Sequence, residues 1–134
     1  MKLPAQSHVA VVDGERFLLM RNCGTTAAPV LECESEPSVV ETNRSAGVRH
    51  QDGTRAATVE PLDKFAHAAG VADWLNHQVL TNRIKQLLVI ADPDTLGEMR
   101  LHYHKKTQDA LLGELAKQLT GRPGPDILKA IAAA

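Results

Sequence analysis

Aromatic side chains are scarce, with two Phe, one Trp and one Tyr among 134 residues. Phe17, Phe65, Trp74 and Tyr103 are too few for the stacking platform on which single-strand binders lay successive bases. Cysteine is nearly absent too. Cys23 and Cys33 cannot make a disulfide framework, and a reducing cytoplasm disfavours the one pairing they allow. Charge of one sign is also lacking. Fifteen Lys and Arg stand against sixteen Asp and Glu, a net charge of -1, so contact with nucleic acid needs a local patch. The longest apolar run in a predicted element is Leu87 to Ala91, far short of a membrane span. Met1-Lys2-Leu3-Pro4 opens without the apolar stretch of a signal peptide, so the cytoplasm is the expected location. Neither a Gly-rich phosphate loop nor a nucleophile elbow occurs, and no cofactor is implied.

What is present is globular. A content of 43% hydrophobic and 23% charged residues predicts one domain over residues 1–134 with one core. His8 to Val12 is short, β-branched and apolar, which predicts a strand. Asp13-Gly14 predicts a tight type I′ hairpin into a second strand at 16–21. Val30 to Glu34 alternates apolar and acidic residues, as an edge strand with one wet face does. Residues 35–60 carry no period, hold a second turn signal at Asp52-Gly53, and predict a flexible loop. Pro61 opens a helix whose inner stripe is Phe65, Ala68, Ala72, Leu75 and Val79, with His67 and His77 on its polar side. Leu87 to Ala91 predicts a central parallel strand, and Asp92-Pro93-Asp94 ends it and starts a helix, capped by Asp92 or Asp94, with Leu96, Met99 and Leu101 on its inner side. Residues 105–120 are ambiguous. Local propensity favours one helix, whereas Gly113 allows a short helix at 105–111 and a strand at 112–119. Pro125-Asp126 starts a last helix through Ile127, Leu128 and Ile131.

Three segments together resemble a bacterial family. Leu88 to Arg100 is similar to its apolar strand, Pro turn and Leu-Gly-Glu-Leu-Arg helix. Gly113 to Thr120 is similar to its Glu-x-x-Lys-Asp-Leu-Thr strand, with Gln118 at the usual Asp. Phe65-Ala66 lies inside a helix leading to the central strand. The family is the host attachment proteins, or proteins required for attachment to host cells. They are related to the middle domain of the archaeal and eukaryotic peptide-chain release factor and of Pelota. The resemblance runs from about 61 to 131 and, more faintly, over the hairpin at 8–21. It implies a three-layer, ribonuclease-H-like α/β domain with a five-stranded mixed sheet in the order 3-2-1-4-5, and so a strand at 112–119. It also implies a binding module of translation or RNA, or alternatively an interaction protein that influences attachment to host cells.

The candidate sites follow. The release-factor domain works through Gly-Gly-Gln, and this chain has no Gly-Gly pair, so peptidyl-tRNA hydrolysis does not transfer. No convergent acid, base and nucleophile set is visible, which predicts a non-catalytic protein. Asp13 and Asp92 end strands expected to be neighbours, where ribonuclease-H-like nucleases hold two Mg²⁺; as a hairpin-turn residue and a cap before Pro93 they explain themselves better. Arg100, His102, His104, Lys105 and Lys106 form the densest basic segment, suited to RNA phosphate, the ribosome or an acidic protein partner, or else a solvated turn.

Overall fold

Period-two alternation and a long amphipathic segment sort the chain into a sheet with helices on both faces. The computed structural model describes residues 2–39 and 59–134, apart from the side chains of Cys33 and of 59–64. Most of the expected 35–60 loop, including Asp52-Gly53, lies outside the described residues. The elements are β1 His8–Val12, β2 Phe17–Asn22, β3 Leu31–Ser35, α1 Val59–Leu80, β4 Leu87–Ala91, α2 Pro93–Arg100, α3 Lys105–Ala110, β5 Leu111–Ala116 and α4 Gly124–Ala133. Among the described residues the sheet order is β3-β2-β1-β4-β5. β1 pairs antiparallel with β2 and parallel with β4; β3 continues the antiparallel side and β5 the parallel side.

The pleat sends alternate residues into two separate cores. Ala10, Val12, Phe17, Leu19, Val89 and Ala91 pack under Ala68, Val71, Ala72 and Leu75 of α1, and under Leu96 and Met99 of α2. The opposite face sets Val9, Val11, Leu18, Met20, Leu88, Ile90 and Leu115 against Ile127 and Ile131 of α4. Every residue from Leu87 to Ala91 is fully buried, as the unbroken apolar run requires of a strand covered on both sides. Trp74 meets the ring of Phe17 edge-on at 5.2 Å between centroids. α4 enters close to the sheet's edge: a Cβ on Gly124 would stand 2.9 Å from the Leu31 carbonyl oxygen of β3.

Several expectations are corrected. The Asp13-Gly14 turn is not type I′. Among the described residues only Gln6, Asn82 and Gly121 have positive φ, and the first β1–β2 pair is Val12 with Phe17, leaving residues 13–16 as the loop. The Asp13 carboxylate organises this loop instead, accepting from the N–H groups of Glu15 and Arg16. α1 begins at Val59, with Pro61 in its first turn, where a missing N–H costs nothing. Phe65 is 38% exposed and drops out of the stripe, whereas His67, expected on the polar side, is buried; Leu101, expected on the inner side of the next helix, is 76% exposed because α2 ends at Arg100. The ambiguous segment divides into α3 and β5, although β5 stops at Ala116 rather than 119. Its partner β4 ends at Ala91, and two residues later Pro93 starts α2, so no ladder remains beyond the Ala91–Ala116 pair. Helix propensity differs by less than about 0.7 kcal/mol between ordinary residues, and Gly113 costs about 1 kcal/mol in a helix, so strand pairing and Leu115 burial outweigh it.

Candidate functional site

The basic segment lies in the turn between α2 and α3, and the structure divides its five residues. Arg100 Nε donates to Glu114 Oε1 at 3.0 Å. His102 Nε2 lies 2.9 Å from Glu98 Oε2, one helical turn back, with both side chains largely buried. His104 caps α3, its Nδ1 accepting from the Lys106 N–H at 3.0 Å. Lys105 and Lys106 stand exposed, with no ion pair among the described residues. They occupy the first turn of α3, which holds no acidic residue. Cations at that end oppose the helix dipole, so helix stability does not explain them.

Sequence reasoning missed the residue that holds this turn. Asn76 of α1 donates from Nδ2 to the His102 carbonyl at 2.8 Å, and its Oδ1 accepts from the His104 N–H at 2.9 Å and the Thr107 hydroxyl at 2.6 Å. An Asn inside a long helix, against its own propensity, was the available signal. Tyr103 is buried beneath the turn. Its hydroxyl is pushed above the ordinary phenol range by burial first and then by the charge of Glu114, with Arg100 opposing.

The carboxylates sit at the other end of the sheet. Val12 pairs with Ala91, so Asp13 and Asp92 follow neighbouring parallel strands at their carboxyl ends. With Gly14, Glu15 and Gln118 they line a cleft of about 380 Å³. Both serve as turn caps. Asp13 Oδ1 accepts from the Glu15 and Arg16 N–H groups at 2.7 and 2.6 Å, and Oδ2 from the Thr120 hydroxyl at 2.7 Å. Asp92 takes the Thr95 N–H at 3.2 Å and the Thr95 hydroxyl at 2.7 Å. His67 Nδ1 donates to the Asp13 carbonyl at 3.1 Å, which explains its burial, while His77 is exposed. Burial raises the Asp13 carboxyl, but the Thr120 hydroxyl, the two N–H groups and the His67 charge hold it below the ordinary carboxylate range. Among the described residues no three His, Cys, Asp or Glu come together as a metal site.

Of the two cysteines, Cys23 is an exposed free thiol. Among the described residues no helix is long and apolar enough to cross a membrane. In comparison with known families, Bacterial archaeo-eukaryotic release factor family 12 matches residues 6–131. That description carries the release-factor side of the resemblance and not the host-attachment name. No curated protein matches the chain.

Proposed function

Because the chain belongs to Bacterial archaeo-eukaryotic release factor family 12, we propose that it is a non-catalytic, release-factor-like binding module of translation or RNA, acting in the cytoplasm. Its contact with RNA phosphate is made by Lys105 and Lys106. One observation carries this reading. In a turn where Arg100, His102 and His104 are all used within the protein, these two ammonium groups are exposed and serve no internal purpose. Among the described residues the sheet supports the ribonuclease-H-like comparison, with three antiparallel strands, then two parallel ones, and helices above and below. The chain's lack of a Gly-Gly pair argues for binding without peptidyl-tRNA hydrolysis. An influence on attachment to host cells would then be indirect.

The test is binding of a generic single-stranded RNA, and co-sedimentation with ribosomes, across a range of salt. The Lys105→Ala/Lys106→Ala variant should bind more weakly. Its slope of log affinity against log salt should shrink by about 1.4, since each single-strand phosphate contact contributes about 0.7. Stability should change by less than about 0.5 kcal/mol, because neither side chain packs or pairs. Equal affinity and equal slope in the variant would overturn the assignment.

A further inference from the structure

The amino-terminal ends of the parallel strands gather a second set of charges that no motif announced. His8 opens β1, in register with Arg21 of β2 on one side and with Leu87 of β4 on the other. Two residues further along these strands, Ala10 and Leu19 enter the core under α1, so the pleat sets His8 and Arg21 on that same face. Glu34 reaches over from β3. Its Oε2 lies 3.1 Å from His8 Nε2 and 3.7 Å from Arg21 Nε. Gln6 adopts a left-handed φ of 68°, and its side-chain oxygen accepts from Arg21 Nη1 at 3.1 Å. The connection from α1 to β4 then adds Arg83 and Lys85. Its turn is closed by the Asn82, Arg83 and Ile84 N–H groups, which donate to the last carbonyls of α1.

These side chains line one cleft of about 410 Å³, within the range of small-ligand sites. Its balance differs from that of the chain taken as a whole. Arg21, Arg83 and Lys85 face a single carboxylate, Glu34, in a chain whose total charge is -1. Arg83 and Lys85 are exposed and make no ion pair among the described residues. His8 is buried, and its Nδ1 has no partner. Three cations around one internal carboxylate leave an excess of two positive charges, which matches a doubly charged anion.

We propose that this cleft is a binding site for a phosphate monoester, gripped by Arg21, Arg83 and Lys85, with the Glu34 carboxylate as the internal anion that the phosphate displaces. The phosphate belongs either to a small phosphorylated molecule or to the 5′ end of an RNA. The site is separate from Lys105 and Lys106, and its success or failure leaves that reading untouched.

The experiment uses the whole chain and four probes: inorganic phosphate, a nucleoside 5′-monophosphate, and a short RNA with a 5′-phosphate or a 5′-hydroxyl. Binding is followed by calorimetry. Arg83→Ala/Lys85→Ala should weaken phosphate and mononucleotide binding at least about tenfold, as expected for lost charge-assisted hydrogen bonds. Glu34→Gln should strengthen it several-fold by removing the competing carboxylate. Preference for the 5′-phosphorylated RNA over the 5′-hydroxyl RNA, lost in Arg83→Ala/Lys85→Ala, assigns the source to RNA ends, and mononucleotide binding without that preference assigns it to small molecules. The second readout is the His8 imidazole by NMR, with melting temperature confirming that each variant is folded. His8 is faced by Glu34, Arg21, Arg83 and Lys85, so phosphate in the cleft should raise its titration point. A purely structural cluster would leave it unmoved. Equal binding of the two RNAs together with no binding of inorganic phosphate or mononucleotide overturns the proposal, as does equal binding of every probe by wild type and both variants.

Discussion

The two ends of the parallel strands treat charge in opposite ways. At the carboxyl ends, Asp13 and Asp92 are consumed in holding the chain: each carboxylate closes its own turn, and Asp13 also ties in Thr120. At the amino ends the holding is done by neutral amides. Asn22 is fully buried, donating to the carbonyls of Leu3, Pro4 and Thr25 and accepting from the N–H groups of Gly24 and Val30. Asn76 plays the same part for the α2–α3 turn. Four cations on this side, Arg83, Lys85, Lys105 and Lys106, are thus left outside the structural network. β5 begins opposite Leu87, and Lys106 lies five residues before it in the short α3, so all four belong to one end of the sheet. Charged groups that serve structure are spent on it; charge that structure does not need is available to a ligand.

The sharpest way to break this contrast is Asn22→Ala. If neutral amides carry the amino end, the variant should lose about 3 kcal/mol or more in urea unfolding, because several buried backbone groups lose their partner together. Asp13→Ala probes the other end and should cost about 2 kcal/mol, the loss of a turn cap plus the Thr120 bridge. A cost below that of an ordinary surface substitution would show that the carboxylate is not structural.

The smallest effect is a separation in pH. Burial foremost, helped by Arg21 and opposed by Glu34, holds His8 below its ordinary value of 6.5. The unfolded chain therefore takes up a proton that the folded chain refuses, and stability falls as pH drops below 6.5. Asp13, held below its ordinary 3.8, contributes fully above that value and loses its contribution as pH falls through the lower folded one. The amino end should weaken first and the carboxyl end only in stronger acid. Urea midpoints across pH for wild type, His8→Asn and Asp13→Asn check the order: His8→Asn should flatten the first decline, and Asp13→Asn the second.

Much of the fold was legible because its strongest signals are local. β1 is apolar after His8 and β4 throughout, as strands with covered faces are, and Asp92-Pro93-Asp94 marks a helix start in three residues. β5 was not legible from propensity, since Leu111 to Ala116 is built of helix formers apart from Gly113 and becomes a strand through pairing with β4. The basic turn could be seen as a run of residues. Its division could not, because Glu114 and Asn76, which take up Arg100 and organise His102 and His104, are remote in sequence. The cleft at His8 gave no linear sign at all. Its cations come from the end of β2 and from the loop before β4, and only the antiparallel and parallel partners of β1 bring them together.

The docking of α4 on β3 has a consequence for how the chain is made. Gly124 lies against the Leu31 backbone, and Ile127 and Ile131 complete the core over one face of the meander. The first three strands leave the ribosome long before β4 and α4 exist, with one apolar face uncovered and an edge unpaired. During synthesis the open edge is that of β1, which β4 will pair, and there a second nascent chain would add; at the opposite edge among the described residues the short, acid-bearing β3, with Glu32 and Glu34, discourages such pairing.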